Sequence, residues 1–289
     1  MNTSEMISAI KIKGSFPTSD DLFSDDDFLV LLNHQFKTEI FPLMISLSEE
    51  YFLLSKDYSV TQGGTYRIPS RAIGAKLRDV QYLDASNNVQ DLNRLFEEDR
   101  KTTKSGFYIV RNSIELTDDY TSNTLRLKYF ARPNKLVLTT DCAQITSIDS
   151  ATQVTTDFVP GAFTDTLYVD FVQNNNPYDL LSYDQTLVGV SGLSLTFNSL
   201  PDGLEVGDWV CLANTSPVAM VPEEIHPILV QSALVSCLAS KKDKSLEYEA
   251  AVLERIKQDA KNMMDPRVEN DSIKFRTGNL LGYFSDRWY

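Results

Sequence analysis

The sequence predicts an α+β protein in which helices near both ends of the chain enclose a mixed β part and an inserted all-β domain of sandwich or barrel type. Three observations carry this reading. Apolar residues recur at three- and four-residue steps near both ends, short Thr- and Val-rich segments fill the stretch between Pro133 and Pro222, and the last two dozen or so residues follow neither period. Steps of three and four put side chains on one helical face, whereas alternation puts them on one face of a strand. With 289 residues, 42% of them apolar, the chain has the composition of a folded protein with a sizeable core.

Residues 4–11 suit a short helix, closed by a turn at Gly14-Ser15-Phe16-Pro17. In SDDLFSDDDF, Ser24 is a natural N-cap, and Asp25, Asp26 and Asp27 fill a first helical turn, where carboxylates oppose the positive helix end. Phe28, Leu32, Phe36, Ile40, Leu43 and Leu47 then share one face. Pro42 removes a backbone donor inside this run, which predicts a kink or two abutting helices. The acidic run lacks the alternating carboxylates and the glycine of a calcium loop, so capping is the favoured role.

From Tyr58 the texture changes. YSVTQGGTYRIPS reads as two extended segments around Gly63-Gly64, KLRDVQYLD as an imperfect strand, and GFYIVRNSIEL as a hairpin turning at Asn112-Ser113. TLRLKYFARP alternates most cleanly. Leu125, Leu127, Tyr129 and Ala131 point one way, and Arg126, Lys128, Phe130 and Arg132 the other. The basic face, Arg126, Lys128 and Arg132, is either a solvated surface with acidic neighbours or a contact for phosphate or an acidic partner.

Proline marks the entry to the inserted domain at Ala131 to Pro133 and its exit at Ser216 to Pro222. Between them CAQITSIDS, TLYVDFVQ, QTLVGVSGLSLTF and VGDWVCLA are short strands spaced by turn residues. Helix returns with Leu229, Ala233, Leu234, Cys237 and Leu238. A second amphipathic helix holds Leu246, Ala250, Leu253, Ile256, Ala260 and Met263 or Met264 on one face, and Asp265-Pro266 ends it. The resulting division is 1–135, 136–221, 222–265 and 266–289.

The net charge of −13 argues against a surface built to neutralise nucleic-acid phosphates. Cys142, Cys211 and Cys237 are widely spaced, which predicts reduced, buried thiols and assembly in a cytosol. No run of about eighteen apolar residues and no signal-like h-region is present, so neither a membrane span nor secretion by the usual signal is expected. His34 and His226 pair with no metal-ligand spacing and read as packed or capping imidazoles. Nucleophile elbow, Walker, zinc-protease and dinucleotide motifs are missing, so no enzyme and no cofactor are expected.

GTYRIPSRAIGAK at 64–76 resembles the head-to-tail adaptor (connector) proteins of tailed bacteriophages, which form a ring beneath the portal. The likeness continues through FSDDDFLVLLNHQFKTEIFPLMISLSEEYF at 23–52, GFYIVRNSIEL, LRLKYFARPNKLV, LPDGLEVGDWVCLA, SPVAMVPEEIHPIL and DPRVEN. It is weakest inside 136–221. The resemblance implies a helical bundle with a small mixed β part and an extended C-terminal arm. It also implies a closed ring of about twelve copies docked on the portal, joined to the tail or further neck proteins, with genomic DNA passing through unbound. Such a protein sits in the virion neck, between capsid and tail, after assembly in the host cytoplasm.

On that reading the tail SIKFRTGNLLGYFSDRWY is a peptide for a groove on the portal. Phe275, Tyr283, Phe284 and Trp288 are its anchors, with Leu280, Leu281 and Tyr289 beside them. Lys274, Arg276 and Arg287 then pair with acidic portal residues. Lumen-facing carboxylates, expected among Asp20, Asp21, Asp25, Asp26, Asp27, Glu97, Glu98 and Asp99, keep phosphates away over a Debye length of about 8 Å. The alternative is a receptor- or carbohydrate-binding module carried by the inserted domain, in which Tyr168, Phe171, Tyr178, Tyr183 or Trp209 stack on sugars.

Overall fold

A computed structural model of the chain describes residues 1–16, 23–96, 98, 104–117, 119–120 and 122–264. Strand is the commonest regular structure among them. The expected helical bundle with a small mixed β part is therefore overturned: two β units, one of them a closed six-stranded barrel, take up most of the chain, and the helices form a single layer beside them.

The helical layer starts with α1 (Thr3–Lys13), capped by Asn2 and Glu5 in a reciprocal box, and α2 (Asp25–Gln35), capped in the same way by Ser24 and Asp27. A π turn, Phe36–Ile40, joins α2 to α3 (Phe41–Leu47), which has Pro42 in its first turn. Phe28, Leu32, Phe36, Ile40 and Met44 are all at most 1% exposed, a strict four-residue step. On an ordinary helix that step drifts by about 40° per turn, and the wider π turn takes up part of the drift. This corrects the expected face, since Met44 turns inward while Leu43 and Leu47 stay half-buried. α4 (His226–Lys241) is buried on nearly all sides and forms the centre of the layer, and α5 (Leu246–Met264) lays Leu253 and Ala260 against it.

The first β unit is a sheet in the order β1 (Leu53–Ser59), β7 (Thr124–Ala131), β3 (Ala72–Leu83), β4 (Val89–Asp91). A smaller sheet, β2 (Thr65–Arg67), β6 (Ser113–Leu116) and β5 (Phe107–Val110), shares its core. Leu125, Leu127 and Tyr129 on β7 are fully buried there. The Tyr129 hydroxyl has no hydrogen-bond partner among the described residues.

β8 (Lys135–Leu136) and β15 (Thr215–Ser216) run parallel where the chain enters and leaves the barrel. The barrel itself comprises β9 (Ala143–Ser150), β10 (Gln153–Thr156), β11 (Tyr168–Val172), β12 (Leu180–Ser191), β13 (Ser194–Phe197) and β14 (Trp209–Leu212). Its order is β10-β13-β12-β11-β14-β9, closed by β9 pairing with β10. β12 pairs with β11 along its first half and with β13 along its second, so one long strand turns the corner between two sheets. Gly192, at φ 60°, begins the two-residue turn into β13, a position that favours glycine. Phe171 and Phe197 meet edge-on inside at 5.0 Å.

Barrel and helices share a core at His226. The residue is fully buried, its ring lies 4.8 Å from that of Tyr178, and Nε2 is 3.0 and 3.1 Å from the carbonyl oxygens of Ala219 and Val221. Those acceptors place the proton of a neutral ring on Nε2, and burial lowers the pKa to about 4. The unfolded chain takes up this proton near its ordinary value of 6.5, and the folded chain only near 4. The stability contributed by the neutral ring is thus complete above pH 6.5 and is lost as pH falls toward 4, roughly 3 kcal/mol over the window. Urea unfolding at about pH 7 and about pH 4.5 is expected to show this loss, and His226→Gln is expected to flatten it.

Candidate functional site

Polar side chains converge where the helical layer, the β1–β7–β3–β4 sheet and the barrel meet. Arg71 lies in the turn that leads into β3, and its side chain is 2% exposed. Its Nη2 donates to Asp170 Oδ1 at 2.7 Å and Oδ2 at 3.0 Å and to Asp184 Oδ1 at 2.8 Å, while Nη1 donates to Asn134 Oδ1 at 3.1 Å. Asp170, on β11, is fully buried and also accepts from Asn134 Nδ2 and from the backbone N–H groups of Asp184 and Asn214 at 2.9 to 3.0 Å. The Arg71 guanidinium lies 5.4 Å from the centre of the Tyr183 ring, whose hydroxyl donates to the Ser55 carbonyl on β1 at 2.6 Å. One cation thus ties the turn before β3 and the segment before β8 to two barrel strands, and Asp170 adds the exit turn.

Burial works against the charge on Arg71, and its contacts with Asp184 and Asp170 outweigh it, so the guanidinium is held above its ordinary pKa. Burial is also the largest influence on Asp170. It pushes that carboxyl up, against the pull of Arg71 and the backbone donors.

Two further joints complete the junction. Asn33 on α2 exchanges two side-chain hydrogen bonds with the backbone of Leu136, each 2.8 Å. The Thr3 hydroxyl donates to the Val137 carbonyl at 2.8 Å, and its N–H to that of Pro217 at 2.7 Å. Beside Arg71 lies a cavity of about 260 Å³ lined also by Tyr51, Phe52, Arg132, Asp179 and Met220, among others. The cavity is a cleft at a junction of units, where ligand sites are common. Its buried cation is already fully engaged, which leaves Arg132 and Asp179 as the outward-facing charges.

Apart from Arg132 and Tyr183, the residues singled out from the sequence fall elsewhere. Lys274, Phe275, Arg276, Leu280, Leu281, Tyr283, Phe284, Arg287, Trp288 and Tyr289 lie outside the described residues, as do Asp20, Asp21, Glu97 and Asp99. Asp25 pairs with Lys11 at 2.6 Å, and Asp27 is held below the ordinary carboxylate range by its hydrogen bonds with Ser24. Asp26 lines a groove along α2, and Glu98 is exposed. On the basic face, Arg126 makes a two-pronged pair with Asp57 at 2.8 Å, Lys128 lies between Ser55 and Asp79 in register, and Arg132 reaches the cavity rim. Of the five rings considered for sugar stacking, Phe171, Tyr178 and Trp209 are buried, Tyr183 is bonded to Ser55, and Tyr168 is the exposed one.

Among the described residues no group of three or more His, Cys, Asp and Glu is placed to hold a metal ion, and no helix is long and apolar enough to cross a membrane. Sequence reasoning missed Arg71 and its carboxylates because the partners stand 99 and 113 positions away. Arg71→Met leaves Asp170 buried without its cation and is expected to cost about 3–5 kcal/mol in urea unfolding. Combining it with Asp170→Asn is expected to recover part of that loss, because the unpaired charge is then gone while the amide oxygen still accepts from the backbone N–H groups around it. Neither a family model nor a curated protein matches this chain.

Proposed function

We propose that the chain is a structural virion protein, a ring-forming head-to-tail adaptor that docks on the portal, links it to the tail and continues the DNA channel. The observation that carries this reading is the ordered series of segments resembling that family, which runs from 23–52 to DPRVEN. In the folded chain these segments meet one another. Asn33, in the first, bonds to Leu136; the Arg132 N–H bonds to the Arg71 carbonyl at 2.7 Å; and Arg71 bonds to Asn134. Residues that resemble a family in separate stretches thus belong to one joint. A joint of this kind suits a subunit whose role is to hold a fixed shape.

The acidic balance fits a channel that DNA passes without sticking. A sugar-binding role has little support, because four of the five rings it needs are engaged in internal contacts.

Electron microscopy of the chain mixed with the portal of its particle is expected to show a closed ring seated on the portal. Truncation after Asp265 is expected to leave the melting of the body unchanged while portal binding is lost. Binding that survives the truncation removes the C-terminal segment as the portal arm, and a chain that never forms a ring on the portal overturns the adaptor reading.

A further inference from the structure

Of the cysteines, Cys237 lies alone in α4, but the fold brings the other two together. β9 and β14 pair with Gln144 opposite Trp209 and Ala143 opposite Val210, so the same register sets Cys142 opposite Cys211. Cys142 has extended backbone, φ −124° and ψ 154°, and continues β9 by one residue. Both side chains are fully buried in one cluster with Trp209, Val218 and Met220, on the outside of the barrel where it faces the rest of the molecule.

Backbone hydrogen bonds fix what kind of pair this is. The Ile145 N–H donates to the Asp208 carbonyl at 2.9 Å and the Ile145 carbonyl accepts from the Gly207 N–H at 2.8 Å, a β-bulge in which Ile145 faces Gly207 and Asp208 at a hydrogen-bonded position of the ladder. Alternation along an antiparallel ladder then makes Ala143 and Val210 bonded, and Cys142 and Cys211 non-bonded. The Cys142 N–H agrees, since it turns away to the Thr139 carbonyl at 3.3 Å. Non-bonded pairs have Cα atoms about 4.5 Å apart and the closest side chains, which lies within the roughly 4.4–6.8 Å that a disulfide spans.

We propose that Cys142 and Cys211 are a reversible disulfide site, oxidised by low-molecular-weight disulfides, that locks the seam between the first and last strands of the barrel. In the first step the thiolate of one cysteine attacks the small disulfide, forming a mixed disulfide and releasing one small thiolate. The second cysteine, as thiolate, then attacks the protein sulfur and expels the other. The protein thus loses two protons and two electrons, and one small disulfide becomes two small thiols. A covalent bond then joins the first and last strands of the barrel, which in the reduced chain are held to each other by the β9–β14 ladder. Burial, and secondarily the neighbouring Cys142, raise the pKa of Cys211, so the folded pair reacts through opening of the seam and therefore slowly.

The test is to incubate the purified full-length chain with oxidised glutathione, both folded and during refolding from urea, then to quench with acid and map the peptides by mass spectrometry. The expected result is one cross-linked pair, Cys142 with Cys211, with Cys237 still a thiol. The melting temperature is expected to rise, and dithiothreitol to return it to the starting value. Cys142→Ala is expected to abolish the rise, and Cys211→Ala serves the same purpose if the first variant does not fold. Three free thiols after refolding in the oxidant, or a cross-link that engages Cys237, overturns the proposal.

Discussion

A buried charge must have a partner, and in this protein that requirement falls on Arg71 and Asp170. Removing either ion from water costs several kcal/mol, and their attraction compensates only when the geometry is close and the remaining donors and acceptors are filled. Here they are: Asp170 takes four different donors, and Arg71 divides its own among two carboxylates and an amide. Those groups come from the turn before β3, the segment entering the barrel, β11, β12 and the turn leaving it. None of these elements can withdraw without leaving a charge or a buried amide unsatisfied. The pair therefore adds less to net stability than it adds to definition, because it allows one relative placement of sheet and barrel.

The barrel reaches this joint by its own route. Six short strands close on each other only if some of them bend, and β12 bends by pairing with β11 and β13 in turn. Asp184 sits in the first half of that strand, so the residue that helps hold Arg71 belongs to the strand that turns the corner. The seam between β9 and β14 lies on the same side, over Val218 and Met220. Closure of the barrel and attachment of the barrel to the body are thus neighbouring events, carried by adjacent residues of β11 and β14 that pair as Asp170 with Cys211.

Local features were legible in the sequence where local physics decides them. The Ser24 cap, the alternation of Leu125, Leu127 and Tyr129, and the apolar face of α5 at Leu253 and Ala260 all follow from spacing within a few residues. β1 was hidden, because Leu53–Ser59 carries no strict alternation and follows directly on a helix; its strand character comes from seven residues of pairing with β7. That is one reason the β content was underestimated. The π turn at Phe36–Ile40 shifted the inward face from Leu43 to Met44, which a fixed helical period does not anticipate. The Arg71 junction was out of reach for a different reason. A single arginine in a loop has no periodicity, and its meaning depends on where two aspartates a hundred or so residues later come to rest.

The stiffness of this junction bears on what the molecule can do with its surface. Association costs translational and rotational freedom in any case, and a subunit that also has to order its own parts loses further free energy with each neighbour it binds. A barrel hinged freely on the helical layer would add that cost at every contact of the proposed ring. Arg71, Asn33 and Thr3 remove it in advance, since each ties the linker strands to a different element through hydrogen bonds that are already made in the monomer. The same economy explains why Arg71, Asp170 and Asn134 offer little to a small ligand: their donors and acceptors face one another. Recognition is then left to the outer surfaces of helices, sheet and barrel, held at fixed mutual positions, which is the arrangement a repeating assembly needs.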